Sequence, residues 1–197
     1  MKDFYNEQNS IYCYPDSNVL KNKLDIRDSN KLFKLEKQIV LAKAYILRQD
    51  ESSYELNKER FLYIHRFLFG DIYDFAGKYR KENVIKGQFR FAEFEFIDEQ
   101  LDYLMSKLKK ENYLKGLDKK NISIRLTYYM SELNVLHPFR EGNGRTIREF
   151  IREIALQAGF ILDLRESTPQ EIFNATVKSV YDTQELENIV FNCLKEN

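Results

Sequence analysis

Apolar residues recur every three or four positions along most of the chain. The windows 30–48, 58–73, 97–111, 122–136, 144–160, 168–182 and 183–196 all carry this period, and only three prolines and seven glycines interrupt it. A period near 3.6 gathers those residues on one face of a helix, so the pattern predicts an all-α protein. Ser167 and Thr168 ahead of Pro169 read as a helix start, because proline suits a first turn and a hydroxyl caps it. In NVIKGQFRFAEFEF, residues 83–96, the period drops to two. Aromatic and β-branched residues alternate there around Lys86-Gly87-Gln88, which predicts a hairpin with Gly87 in its turn. Two strands alone are marginal in water, so this hairpin must lean on helices or serve as a flap.

Composition narrows the picture. A chain of 197 residues that is 43% hydrophobic supports one sizeable core, which predicts a single domain over 1–197. Lys plus Arg and Asp plus Glu each total 31, so the broad basic footprint of a nucleic-acid or anionic-membrane binder is missing. Neither partner is expected. Cys13 and Cys193 lie near opposite ends without metal-ligand spacing, and two thiols make no disulfide framework in a chain of this size. A reducing compartment fits that usage. The N-terminal stretch has no apolar core of signal-peptide length, and no apolar run approaches the roughly 20 residues of a membrane helix. The expectation is a soluble, cytoplasmic protein.

Chemistry concentrates in LHPFREGNGRTIREFIREIAL, residues 136–156, which hold one of the two histidines, two of the seven glycines and four arginines. Pro138 biases its predecessor away from the helical region, so the helix over 122–136 ends there and His137 stands on a loop. Gly142-Asn143-Gly144 opens the next helix, where backbone amides converge beside a partial positive charge and favour an anion such as phosphate. Arg145 and Arg148 follow at i and i+3, with Arg152 one turn on, and guanidinium forks suit phosphate oxygens. Glu141 offers the oxygen that a hard divalent cation bridging phosphates requires. A Walker loop is excluded, since its glycine and lysine order is absent. Base, metal ligand, anion cradle and arginines are together the parts for attack on a nucleotide phosphate. The plainer alternative is a helix cap whose arginines pair with surface carboxylates such as Glu149 and Glu153. It leaves the place of Glu141 unexplained. His65, in the apolar-rich window 58–73, reads as structural.

HPFREGNGRTIR resembles, position for position, the Fic-family motif H-x-F-x-[DE]-G-N-G-R-x-x-R. YPDSNVLKNKLDIRD and DIYDFAGKYRKENVIKGQFRFA also look like the corresponding parts of short single-domain bacterial Fic proteins. The resemblance implies an all-α Fic fold, a compact helical bundle with a small β-hairpin flap over the active site and a catalytic loop and helix over 137–158. It implies a protein adenylyltransferase that moves AMP from ATP to a Tyr, Thr or Ser hydroxyl of a target protein, with Mg²⁺ as cofactor. His137 would be the general base and Glu141 the Mg²⁺ ligand. Gly142, Asn143 and Gly144 would form the anion hole, Arg145 and Arg148 would hold the β and γ phosphates, and Phe139 would fix the loop in the core. The neutral imidazole of His137 suits a base near pH 7. The flap residues Lys86, Gly87, Gln88, Phe89, Arg90 and Phe91 would dock the target, adding it as a further strand. Family members often form homo-oligomers. A kinase-like branch carries Lys where this chain has Gly144, which makes phosphate transfer the weaker alternative.

The family likeness also implies a brake. Many Fic proteins carry an inhibitory helix with the motif [ST]-x-x-x-E-[GN], and TQELEN matches it once, at Thr183, Glu187 and Asn188, within 183–196. Glu187 would pair with Arg148 and deny that arginine to the γ phosphate. The opposed reading has Thr183 capping the helix and Glu187 facing solvent. Tyr181 becomes a candidate for self-modification. Two other functions stay open: an enzyme that also removes AMP, and a catalytically silent nucleotide-binding module.

Overall fold

The structure, a computed structural model, describes residues 10–50, 52–87 and 89–197. They form seven α-helices: α1 (Ser29–Arg48), α2 (Lys58–Phe69), α3 (Ile97–Lys110), α4 (Lys119–Leu136), α5 (Asn143–Gln157), α6 (Pro169–Lys178) and α7 (Gln184–Cys193). Two small antiparallel ladders accompany them, β1 (Ile85–Lys86) with β2 (Phe89–Arg90) and β3 (Phe160–Leu162) with β4 (Leu194–Glu196). The chain gathers into two compact units, one of Met1–Glu55, Glu59–Asp98 and His137–Thr146, the other of Leu56–Lys58, Glu99–Leu136 and Ile147–Asn197.

In the first unit, α1 buries Leu32, Val40 and Leu47, and α2 buries Phe61, Ile64, Leu68 and Phe69. Asp28 caps α1 by accepting from the Lys31 amide. Lys43 ties α1 to the segment after α2 through Asp71 at 2.7 Å, its ammonium lying over the Phe67 ring. The hydrophobic pattern extended α2 to 73, but the helix stops at Phe69. Gly70, the weakest helix former after proline, follows, and the chain turns back with Ile72 and Tyr73 amides both donating to the Phe69 carbonyl.

In the second unit, α4 buries residues all round its circumference, among them Ile122, Leu126, Tyr129, Met130 and Leu133. Both α6 and α7 pack on it. Ser131 of α4 and Ser179, just past α6, share hydrogen bonds that include one between their hydroxyls at 3.0 Å. Thr168 and Glu171 form the reciprocal capping box that starts α6, as the Ser-Thr-Pro sequence predicts.

The second ladder corrects the reading of 144–160 and 183–196 as unbroken helices. Gly159, with φ +93°, takes the left-handed conformation that ends α5, and Phe160-Ile161-Leu162 continues as a strand. Leu194 to Glu196 pair with it rather than extending α7. Phe160 and Leu162 face inward while Ile161 is exposed, the alternation of a strand with one covered face.

Candidate active site

His137 takes a left-handed backbone, φ +47°, in the two-residue step between α4 and the motif loop. A non-glycine residue there stores about 1–3 kcal/mol of strain and persists only where its surroundings hold it. Arg80 does much of that holding. Its Nε donates to the His137 carbonyl at 2.8 Å and its own amide to the Pro138 carbonyl at 2.9 Å. The imidazole is buried and stacks on Phe91, ring centroids 3.8 Å apart.

Phe139 is fully buried, stacked between Phe61 and His65, which anchors the loop as its apolar ring suggested. Asn143 closes the loop on itself: its Oδ1 accepts from the Phe139 amide and its Nδ2 donates to the Phe139 carbonyl. The Asn143 side chain is thus spent on the loop, and α5 begins at its backbone. Of the three nest residues only Gly142 is left-handed, φ +81°, and a Cβ there would stand 2.3 Å from the Phe69 ring. Gly142 also accepts the first bond of the helix, from the Thr146 amide. First-turn amides have no acceptor within their own helix, so those of Asn143, Gly144 and Arg145 come from the segment suited to an anion.

His65 reaches this loop from α2, a role its sequence neighbours do not show. The Gly77 amide donates to Nδ1 at 2.8 Å, which leaves the proton on Nε2 to be donated to the Glu141 carbonyl at 2.9 Å. Burial, above all, pushes its pKa down to about 3, so the ring stays neutral.

Glu141 is half-buried, its Oε1 accepting from the Gly142 amide at 2.8 Å and from Arg145 at 3.3 Å. Arg145 makes a shorter pair, 2.6 Å, with Glu36 of α1, and Glu36 also accepts from the Tyr73 hydroxyl. Burial alone would lower the Arg145 pKa, but Glu36 and Glu141 outweigh it and raise it. Burial and the neighbouring Glu36 hold the Tyr73 phenol far above its ordinary value. Glu36, Tyr73 and Arg80 carried no sequence signal, because the bond that joins Glu36 to Tyr73 spans 37 positions and the one from Arg80 to the His137 carbonyl spans 57. Arg140 was missed for the same reason; it is buried and pairs with Glu82 at 3.1 Å.

In the flap, β1 and β2 pair Lys86 with Phe89, and Gly87, φ +60°, opens the turn as predicted. Gln88 lies outside the described residues. The hairpin is shorter than 83–96, since Phe94–Phe96 is a 3₁₀ turn leading into α3. Phe89 is half-buried and Arg90 is exposed, paired with Glu93. Phe91 differs from its expected docking role. It lies past β2, buried against Val84 and the His137 ring, so its side chain packs on the motif loop rather than standing open to an approaching target.

In the second unit, Arg148 is half-buried on α5, and Arg152 pairs with Glu149 at 3.0 Å. Glu149 and Glu153 are buried, not surface carboxylates. Thr183 makes no side-chain cap for α7; its hydroxyl donates instead to Glu187 at 2.7 Å, and Asp182 accepts from the Gln184 amide. Glu187 is half-buried, Asn188 is exposed and accepts from Gln184, and Tyr181 is 87% exposed. Both cysteines are free and buried, and no described helix is long and apolar enough to cross a membrane.

Two outcomes follow for the loop. Gly142→Ala should cost roughly 2–4 kcal/mol, combining a left-handed alanine with overpacking against Phe69, as measured by urea denaturation. The unfolded chain protonates His65 near pH 6.5 while the folded chain refuses that proton until about 3. Stability is therefore lost as pH falls through that window, by up to ~1.4 kcal/mol per pH unit from this residue. Denaturation midpoints measured from pH 7 to 4 should show a shallower decline in His65→Gln than in the unchanged chain.

Comparison with known proteins agrees with this geometry. Residues 55–155 match the Fic/DOC family. The chain is 37% identical over 182 residues to protein adenylyltransferase VbhT of Bartonella schoenbuchensis, covering 92% of this chain and 38% of that protein. It is 35% identical over 162 residues to the probable protein adenylyltransferase Fic of Salmonella typhimurium, covering 82% of this chain and 80% of the other. The crystal structure of BepC from Bartonella tribocorum, solved with bound AMPPNP, superposes with a TM-score of 0.87 at 25% identity, over 94% of this chain and 97% of that one. The all-α architecture is that of these structures. The chain spans little more than a third of VbhT but most of the Salmonella protein. Motif, fold and relatives agree, and the chain belongs to the Fic/DOC family.

Proposed function

We propose that this chain is a protein adenylyltransferase that moves AMP from ATP to a hydroxyl of a target protein. The carrying observation is the motif loop, which holds a buried histidine in a strained backbone directly ahead of a glycine-opened helix start. Two relatives of stated activity and a nucleotide-bound structural neighbour support the same reading. His137 accepts the proton of the target hydroxyl as its oxygen attacks the α phosphorus. The bond to the β phosphate breaks and pyrophosphate leaves. The amides of Asn143, Gly144 and Arg145 and the guanidiniums of Arg145 and Arg148 receive the phosphate oxygens, the Gly142 amide being bonded to Glu141.

Glu141 is the residue that would hold Mg²⁺. Among the described residues no three His, Cys, Asp or Glu side chains are grouped as a metal cage. A single carboxylate suits Mg²⁺, which takes its remaining ligands from phosphates and water. Bound there, the ion would neutralise charge on the phosphates and the departing pyrophosphate. Phe89 and Arg90 of the flap are the side chains that would meet the target segment.

Glu187 belongs to the same proposal as a brake that pairs with Arg148. The Thr183 hydroxyl bonded to Glu187 supports it, because a helix cap spent on a side chain one turn away orients that carboxylate. Tyr181, exposed just before α7, is the proposed site of self-modification.

His137→Ala should abolish AMP incorporation from labelled ATP into proteins of a cell extract while AMPPNP binding changes less than about threefold. Retained transfer would remove His137 as base. Glu187→Gln should raise transfer at least about tenfold, the factor that 1.4 kcal/mol of released competition supplies. Glu187→Gly, measured beside it, also weakens α7 by about 1 kcal/mol. Activation by Gly alone would assign the brake to helix stability rather than to the carboxylate.

A further inference from the structure

Arg80 lies outside the motif and is 1% exposed, and its guanidinium donates to three backbone carbonyls. Nε donates to His137, Nη1 to Glu82 at 2.8 Å, and Nη2 to Ala92. Glu82 precedes β1 and Ala92 follows β2, so two of the three acceptors are the two stems of the flap. The third is the carbonyl of the strained residue. The Arg80 amide adds a fourth link, to Pro138. Phe91 stacks on the His137 ring from the same stem, packed on Val84 of the other. The stems are joined again by the Phe91 amide to the Val84 carbonyl at 3.2 Å and by Asn83, which accepts from the Phe94 amide and donates to Glu93.

We infer that Arg80 is a positioning residue that couples the flap to His137, so that a target strand docking on the hairpin and the orientation of the base are set together. The physical reason is the geometry of the fork. A guanidinium presents several donors fixed in one plane, so three carbonyls bonded to one Arg80 cannot shift independently. A left-handed histidine relaxes unless its carbonyl is held, and Arg80 holds it only while both stems stay in place. A strand added to β1 or β2 therefore stiffens the base as well as aligning the target, and a hairpin left loose leaves the base loose. The inference rests on the adenylyltransferase reading for its catalytic consequence, but not for the coupling itself.

The test uses the chain's two histidines as separate reporters in imidazole nitrogen NMR. His65, held by Gly77 and the Glu141 carbonyl, is the internal standard. Arg80→Lys keeps a charge but loses the planar fork. It should shift the His137 signal and leave that of His65 in place. AMP transfer should fall at least tenfold while AMPPNP binding changes less than twofold. Lys81→Ala, at the exposed neighbour, should change neither. An unmoved His137 signal in Arg80→Lys overturns the proposal. Should that variant not fold, hydrogen exchange of the unaltered chain decides. Under the proposal, the Arg80 and Phe91 amides open together at one rate, whereas a Phe91 amide exchanging a hundredfold faster shows a flap that moves without the base. If the unaltered chain transfers no AMP, the functional reading fails, and the NMR and exchange results still judge the coupling.

Discussion

The site depends on holding one histidine in a backbone conformation that it would not choose. Left-handed geometry at His137 is what turns the chain out of α4 and, five residues later, into α5, with Gly142 making the second left-handed step. The His137 step is strained in isolation, whereas Gly142 takes its own freely but only glycine fits beneath Phe69. The buried contacts that hold them come from one unit: Arg80 on the His137 carbonyl, His65 on the Glu141 carbonyl, and Phe139 locked between two rings. Each donor is a side chain reaching a main-chain oxygen. A loop this short has few backbone partners of its own, and a buried carbonyl left unpaired is costly.

Charge is arranged around the same loop with equal economy. Arg145 is shared between Glu36 and Glu141, and Tyr73 donates to Glu36. Arg140 and the hydroxyl of Ser10 both satisfy Glu82, which stands at the foot of the flap. These groups are buried or half-buried, where an unpaired charge costs several kcal/mol, so each is answered by an opposite charge or a hydroxyl. Two arginines of the motif, Arg140 and Arg145, are thus placed among carboxylates of the first unit. Under the proposed function, a nucleotide approaching Arg145 would compete with two carboxylates already bonded to it. Loading the site would then be an exchange of partners at Arg145, and Mg²⁺ at Glu141 would relieve one of the two.

In α7, Thr183 shows how a short motif carries physical content. A threonine at that position ordinarily caps a helix by accepting from a backbone amide, and Asp182 takes that task instead. The hydroxyl is left to bond Glu187 one turn ahead, so the spacing of four in the motif is the spacing of a side-chain pair along a helix.

Much of this was legible in the linear chain. The 3.6-residue period located seven helices to within a few residues, the switch to a period of two found the flap, and glycine and proline marked the motif loop, because each signal depends only on neighbours a few positions apart. The identities of His137, Glu141 and the glycines also follow from the local order of residues. The second ladder was hidden, since Phe160-Ile161-Leu162 is an apolar run that suits a helix or a strand equally until Leu194 to Glu196 arrive beside it. The same holds for Arg80, which looks like any lysine-flanked surface arginine until folding brings its guanidinium to a carbonyl 57 residues away. Spacing along the chain singled out the candidate side chains. Only the tertiary structure decided what holds them, because burial and pairing are properties of groups that meet in space after the intervening chain has folded.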